Sequence, residues 1–325
     1  SASQFAERYH ADSYGFISIE TEEGNYITAG STRLYKNKFY PIIFLAKYDT
    51  TGSLIWKTEI TGIKLNKVVG LFPSSNGGCF VSGVNSATGS AFYLFKISNT
   101  GEIKWQRKCS KVLVSEGCCM NLHESGFAFI GMSRSLKYSI LSKTDHNGKI
   151  RSEHNLQLGN VKFISSCRAH ENGYLILATH HERESKTIYS VIIRIDRQGN
   201  ELWRRNIGYL QSRSELNTIQ KNESGSYIAT GFVLSKTRNS DGWLLEIDNF
   251  GNPVSSIIIG NSGWDQFSDV HPTADSCYIL TGETSSTGAG NQDFWLVKTN
   301  RNGDVKWQKT YGGLLRDFSN HVMQT

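Results

Sequence analysis

FWLVKTNRNGDVKWQKTYGG, residues 294–313, joins two β-rich runs through Asn300-Arg301-Asn302-Gly303, and the second run carries Trp307. Apolar and polar residues alternate in DVKWQKTY, which indicates a strand. An Asx residue with glycine supplies the left-handed turn that a tight hairpin needs. The same turn recurs in KYDTTGSLIW, KISNTGEIKW, KTDHNGKIRS, RIDRQGNELW and EIDNFGNPVS. Its glycines are Gly52, Gly101, Gly148, Gly199, Gly251 and Gly303, at spacings of 49, 47, 51, 52 and 52. Four residues after the glycine stands Trp56, Trp105, Trp203 or Trp307, with Ser152 and Ser255 in the third and fifth copies. A second block precedes each turn: GNYITAG, GGCFVSG, SGFAFIG, NGYLILA, GSYIATG and SCYILTG.

Two signals at a near-constant phase define one unit written six times. Each unit reads as four short strands: an irregular first strand such as GFISIE, the YITAG-type second, an apolar third, and a fourth carrying the tryptophan. No segment has the periodicity of an amphipathic helix. Four-stranded units of this length, repeated radially, specify an all-β fold: a β-propeller of antiparallel blades, six expected, with seven the alternative. The repeats fall at about 12–61, 66–110, 112–159, 162–209, 214–260 and 265–313 of a single domain. RDFSNHVMQT restarts a first strand and QFAERYH resembles a last one, so segments 1–11 and 314–325 are expected to help close the ring. The tryptophans are expected to wedge between blades.

Bulk composition excludes several classes. The net charge of +6 is scattered, with no nucleic-acid signature, and no apolar run approaches a membrane span. SASQFAERYH lacks the regions of a signal peptide. The six cysteines show no CxxC spacing, so no metal site is expected. Cys79 and Cys277 read as small buried apolar side chains, and Cys118-Cys119 as neighbours on opposite faces of a strand.

WQKTYGG, an Asp-containing stretch and a YILTGET-type strand together resemble the bacterial SBBP-type β-propeller repeat, over nearly the whole chain. The phrasing from Asp49 to Trp56 and from Asp196 to Trp203 also resembles the tryptophan-docking repeat of quinoprotein and BamB-like propellers, although two copies lack the tryptophan. The first resemblance implies an envelope or secreted protein, whereas unpaired cysteines suggest a reducing compartment. The quinoprotein resemblance would make Cys118-Cys119 a vicinal disulfide beside a cofactor; no cofactor is expected from the residues themselves.

Ligand candidates lie where the copies differ. Counting back from the strand-two aromatic puts Ile19, Phe72, Met120, Cys167, Gln220 and His271 at one level of the inner strands. Glu20, Pro73, Asn121, Arg168, Lys221 and Pro272 form the next. The channel candidates are Arg168, Lys221, His271, Gln220, Glu20 and Asn121, of which the first three could bind an anion. A second candidate surface is the loop bearing Tyr35, Lys36, Phe39 and Tyr40. His180-His181 is placed in a loop without metal-ligand spacing, and Asn222-Glu223-Ser224 is a formal glycosylation sequon. The Asx-x-x-Gly turns lack a full calcium-ligand series, and no nucleophile elbow, P-loop or GxGxxG is present. The expected function is a non-enzymatic binding or scaffolding propeller for a protein or glycan, monomeric in itself. The alternative is an enzyme with a channel-mouth site for a sugar, lactone or quinone-type substrate.

Overall fold

The computed structural model describes residues 13–32, 42–61, 63, 65, 67–85, 91–108, 114–122, 126–133, 139–159, 161–168, 173–181, 188–208, 213–222, 224–234 and 239–324. Within them, 13–16, 32, 67, 85, 91, 114–122, 132–133, 162–164, 166–168, 181 and 188 are described by backbone alone. Blade one comprises β1 (Ser13–Glu20), β2 (Tyr26–Thr32), β3 (Ile42–Tyr48) and β4 (Leu54–Ile60). Blade two is β5 (Lys67–Pro73), β6 (Cys79–Asn85), β7 (Ala91–Ile97) and β8 (Ile103–Lys108). Blade three is β9 (Val114–Leu122), β10 (Gly126–Ser133), β11 (Ser139–Thr144) and β12 (Ile150–Leu156). Blade four is β13 (Val161–Arg168), β14 (Tyr174–His181), β15 (Ile188–Ile195) and β16 (Glu201–Ile207). Blade five is β17 (Ser214–Lys221), β18 (Tyr227–Leu234), β19 (Ser240–Ile247) and β20 (Pro253–Ile259). Blade six is β21 (Asp265–Pro272), β22 (Tyr278–Thr284), β23 (Asp293–Thr299) and β24 (Val305–Tyr311). The fold class is the one expected, all-β with six four-stranded antiparallel blades, each in consecutive strand order. No helix among the described residues is long and apolar enough to cross a membrane.

The blades fall into two compact units, Ser1–Gln157 and Leu158–Gln324, with three blades each. In the first unit β5 packs against β1 and β9; in the second, β17 packs against β13 and β21. First strands are therefore inner and fourth strands outer. Apolar side chains fill the space between neighbouring blades. Ile27, Leu45, Leu71 and Phe95 join blades one and two, and Phe92 stacks on Phe129 at 4.3 Å between blades two and three. In the second unit Leu177, Ile192, Leu216 and Trp243 join blades four and five, and Leu244, Phe267 and Trp295 join five and six.

All six turn glycines adopt the predicted left-handed conformation, with φ from 73° to 96°. The leading side chain holds each turn. Asp49 Oδ1 accepts the Thr51 and Ser53 amides, and Asp145, Asp196, Asp248 and Asn300 each accept the amide four residues on. Ser98 does so with a hydroxyl. The Thr51 hydroxyl bond and these amides hold the Asp49 carboxyl below its usual range.

Trp56, Trp105 and Trp203 close the gap between blades, as expected. Trp56 lies on Gly101 of the next blade, so a methyl added there would stand 2.9 Å from its ring. Its Nε1 donates to the Asn99 carbonyl at 2.7 Å. Trp105 lies on Gly148 and Trp203 on Gly251, each flanked by the stem of Arg107 or Arg205. Where Ser255 replaces the tryptophan, Ile257 covers Gly303 instead. Trp307, from the stretch that set the reading, is 39% exposed.

One expectation changes, and one formal motif is closed. His180 and His181 end β14 rather than lying in a loop, because their backbones pair with Tyr189 and Ile188 of β15; His180 stacks on Tyr189 at 5.1 Å. Asn222 of the sequon is 6% exposed and its amide donates to the Tyr278 hydroxyl and Ser226 Oγ, so the folded chain withholds it from glycosylation.

A left-handed alanine costs about 1–2 kcal/mol at any such turn, and an overpacked contact about 1–3 more. Gly251→Ala should therefore cost clearly more stability than Gly225→Ala, whose φ is +92° with nothing within 4 Å. Urea titration of the two variants measures this, and equal losses would exclude the tryptophan contact as the cause. Ser276, at φ 57°, is the one non-glycine residue with positive φ among those described. Ser276→Gly should raise stability by about 0.5–1 kcal/mol, read as an increase in urea midpoint.

Candidate functional site

Pairing fixes the inner-strand levels. Ile19, Phe72, Met120, Cys167, Gln220 and His271 pair with the second residue of their neighbouring strand, or the third in β10: Ile27, Phe80, Ala128, Leu175, Ile228 and Ile279. Glu20, Pro73, Asn121, Arg168, Lys221 and Pro272 pair with the residue before it: Tyr26, Cys79, Phe127, Tyr174, Tyr227 and Tyr278. The candidates thus occupy equivalent places at the ends of first strands. Glu20 and Asn121 belong to the first unit, and Arg168, Gln220, Lys221 and His271 to the second. Lys221 is exposed, while Glu20, Gln220 and His271 are half-buried; Asn121 and Arg168 are placed by backbone. Tyr35, Lys36, Phe39 and Tyr40 lie outside the described residues.

The structure adds groups around His271. Asp269, 4% exposed on the same strand, accepts the Val322 amide at 3.1 Å, and His321 Nε2 stands 3.7 Å from its Oδ2. These contacts come from residues 313–324, which run back along blade six. Arg316 forms a two-pronged bond with Glu283, and Ser319 Oγ donates to the Gly282 carbonyl at 3.1 Å. Gly313 donates its amide to Asp317 at 2.9 Å, repeating the 2.8 Å bond from Asn261 to Asp265 that opens blade six. The repeat restarts after residue 311 in its contacts as well as in its letters.

Burial governs the charge of the cluster. It pushes the Asp269 carboxyl up to about 6, against the lowering pull of the Val322 amide and other donors. It pulls His321 down to about 4 and lowers His271 too, where the Asp269 charge opposes it. At neutral pH the pair is therefore a carboxylate beside a neutral imidazole. His271 would enter an anion site as a neutral hydrogen-bonding group.

Asp269 and His321 escaped the sequence reading for a physical reason. The inner strand carries a bulge between Phe267 and Asp269, and matching bulges occur in β1, β5, β13 and β17. A bulge resets which face each residue meets, so alternation counted along the sequence fails there. It buries Asp269 and Val270 together.

Cys79 and Cys277 are free and buried, as expected, and burial pushes the Cys79 thiol up to about 12, leaving it unreactive. Cys118 and Cys119 pair with Ile130 and Phe129 on one strand. No cluster of three or more His, Cys, Asp or Glu suited to a metal ion occurs among the described residues.

The opposed shifts have opposite consequences for stability. Asp269, raised from 3.8, contributes stability that is full below about pH 4 and lost as pH rises through 6. His321, lowered from 6.5, contributes stability that is full above 6.5 and lost as pH falls through about 4. Asp269→Asn should therefore steepen the loss of Tm between pH 6.5 and 4, and His321→Gln should flatten or reverse it. Thermal unfolding across that range reads both slopes, and parallel curves for the two variants would contradict the assignment.

No family model and no curated protein matches the chain. Similar solved structures include a puromycin hydrolase S511A mutant complexed with PGG, at 8% identity and a TM-score of 0.58. That match covers 91% of this chain but 45% of the other, so the chain spans less than half of that protein. A putative 6-phosphogluconolactonase from Bacteroides uniformis matches at 10% identity and TM-score 0.52, over 83% and 79% of the two chains. The β-propeller domain of the Trilobed protease from Pyrococcus furiosus matches at 8% identity and TM-score 0.48, over 91% and 95%. At these identities the likeness is one of fold alone.

Proposed function

We propose that the chain is a non-enzymatic binding or scaffolding propeller of the SBBP type, holding a protein or glycan partner at the ends of its first strands. One observation carries this reading: residues in equivalent register are chemically different. Glu20, Pro73, Asn121, Arg168, Lys221 and Pro272 share one position in six similar blades, yet they supply an acid, two bases, an amide and two prolines. Within the second unit alone, Arg168, Lys221 and Pro272 differ at one register, and a repeated frame with unrepeated ends suits recognition of an asymmetric partner. The titratable groups beside this rim are committed elsewhere: Asp269 holds residues 321–322 against blade six rather than facing a substrate.

The two bases and the net charge of +6 favour an acidic partner. Screening the purified chain against arrays of oligosaccharides and peptides should return acidic hits. Arg168→Ala combined with Lys221→Ala should weaken such a hit about tenfold, roughly 1.4 kcal/mol. Affinity unchanged in the double variant would remove these residues from the site. Turnover of a sugar, lactone or quinone-type substrate by the same preparation would replace the binding reading with an enzymatic one.

A further inference from the structure

Two pairs of aspartates recur at one phase of the repeat. Asp241 and Asp293 stand ten residues before the turn glycines Gly251 and Gly303, and Asp265 and Asp317 stand fourteen residues after them. The other four blades place Ile42, Ala91, Tyr138 and Tyr189 at the first position and Asn66, Ser115, Lys162 and Arg213 at the second. Neither position carries an acid outside blades five and six. A glycine clears the space in front of the first acid of each pair. A methyl group added to Gly260 would clash with Asp241 Oδ1, and one added to Gly312 would clash with Asp293 Oδ1. The methyl group at Gly312 would also stand 2.7 Å from Asp317 Oδ2, so the two carboxylate oxygens flank one point beside this glycine.

The two pairs differ in what satisfies them. Asp265 is saturated: Oδ1 accepts the Thr284 hydroxyl, and Oδ2 accepts the Asn261 amide at 2.8 Å and the Ser286 hydroxyl at 2.7 Å. Burial, and then the Asp265 charge, push the Asp241 carboxyl up, the mark of two acids facing each other. In blade six the Asp317 carboxylate accepts one bond among the described residues, from the Gly313 amide at 2.9 Å. Asp293 is 1% exposed, and its Oδ2 accepts the Ala289 amide at 2.7 Å and the Gly290 amide at 3.3 Å. Its Oδ1 is buried and has no hydrogen-bond partner among the described residues. A buried carboxylate oxygen without a donor is costly, and a second carboxylate beside it adds repulsion. A cation between the two relieves both.

We propose that Asp293 Oδ1 and Asp317 Oδ2 bind a calcium ion where β23 begins. The donor set is all oxygen, and the Gly313 and Leu315 carbonyl oxygens both face Gly290, whose amide already donates to Asp293. Two carboxylates with neighbouring carbonyls and water suit calcium, which accepts irregular shells, better than magnesium, which demands a near-ideal octahedron. The set lacks the nitrogen and sulfur ligands that select transition metals. Two protein charges place the affinity in the weak class of calcium sites, about 0.1–1 mM. The ion would tie the turn after β24 to the start of β23. Asp293 pairs with Thr284 at the end of β22, whereas Pro272 of the rim pairs with Tyr278 at its start. The calcium site is therefore at the opposite end of blade six from the proposed partner surface and independent of it.

Titration calorimetry of the chelator-treated full chain with calcium chloride, up to about 10 mM, tests the assignment. One site should appear, and about 10 mM calcium should raise Tm by about 2–4 °C. Magnesium chloride should bind at least about tenfold more weakly. Asp293→Asn, which keeps an oxygen for the Ala289 and Gly290 amides, should weaken calcium binding at least about tenfold. Asp317→Asn, at the less buried member of the pair, should do the same and guards against a misfolded Asp293 variant. Asp241→Asn, in the saturated pair, should leave calcium binding unchanged. A wild-type chain with neither calcium heat nor a Tm shift, equal affinity for magnesium, or binding that survives in either folded variant of the blade-six pair would each overturn the site. Loss of binding in a folded Asp241→Asn would overturn it as well.

Discussion

A tryptophan face laid on a left-handed glycine joins blade one to two, two to three and four to five. The glycine must be glycine twice over. Its φ is positive, and the ring of the preceding blade occupies the space a Cβ would need. The tryptophan stands four residues after its own glycine, so the blade-two hairpin supplies both a knob, Trp105, for the next blade and a socket, Gly101, for the previous one. Turn geometry and blade packing are therefore a single constraint. It repeats at 47 to 52 residues because that is one blade of chain.

Around this contact the junctions are individual. Between blades one and two, the buried Lys47 ammonium donates to Glu23, the Gly77 carbonyl and Asn99. At the corresponding place between blades five and six the charges are exchanged, with Glu246 facing Arg301 at 3.9 Å. A buried charge is tolerated when it is fully partnered, and the two junctions solve that requirement with opposite signs. Such pairs favour particular neighbours more than they add stability.

Individuality also separates the two edges of a blade. The inner edge varies in polar chemistry while its register stays constant. The outer strand carries charged residues in every blade but the fifth. In that blade the packing role of the lost tryptophan passes to Ile257, and the face turned outward becomes apolar. Loss of Trp at position 255 and gain of an uncharged edge thus occur in the same strand.

The sequence by itself determined the blade: its four strands, its Asx-x-x-Gly turns, and the tryptophans as packing. These are local or periodic features, and a hairpin writes its geometry into adjacent residues. The level of Glu20, Lys221 and His271 was also legible, because pairing counts outward from a fixed turn. Tertiary structure alone decided that Asp269 is buried beside His321, since a bulge breaks the count and residues 52 apart in sequence meet only when the chain folds back. It also decided that Asn222 is occupied by Tyr278, and that Ile258 is exposed while Ile257 is used. Periodicity says which residues share a face; only packing says whether anything covers it.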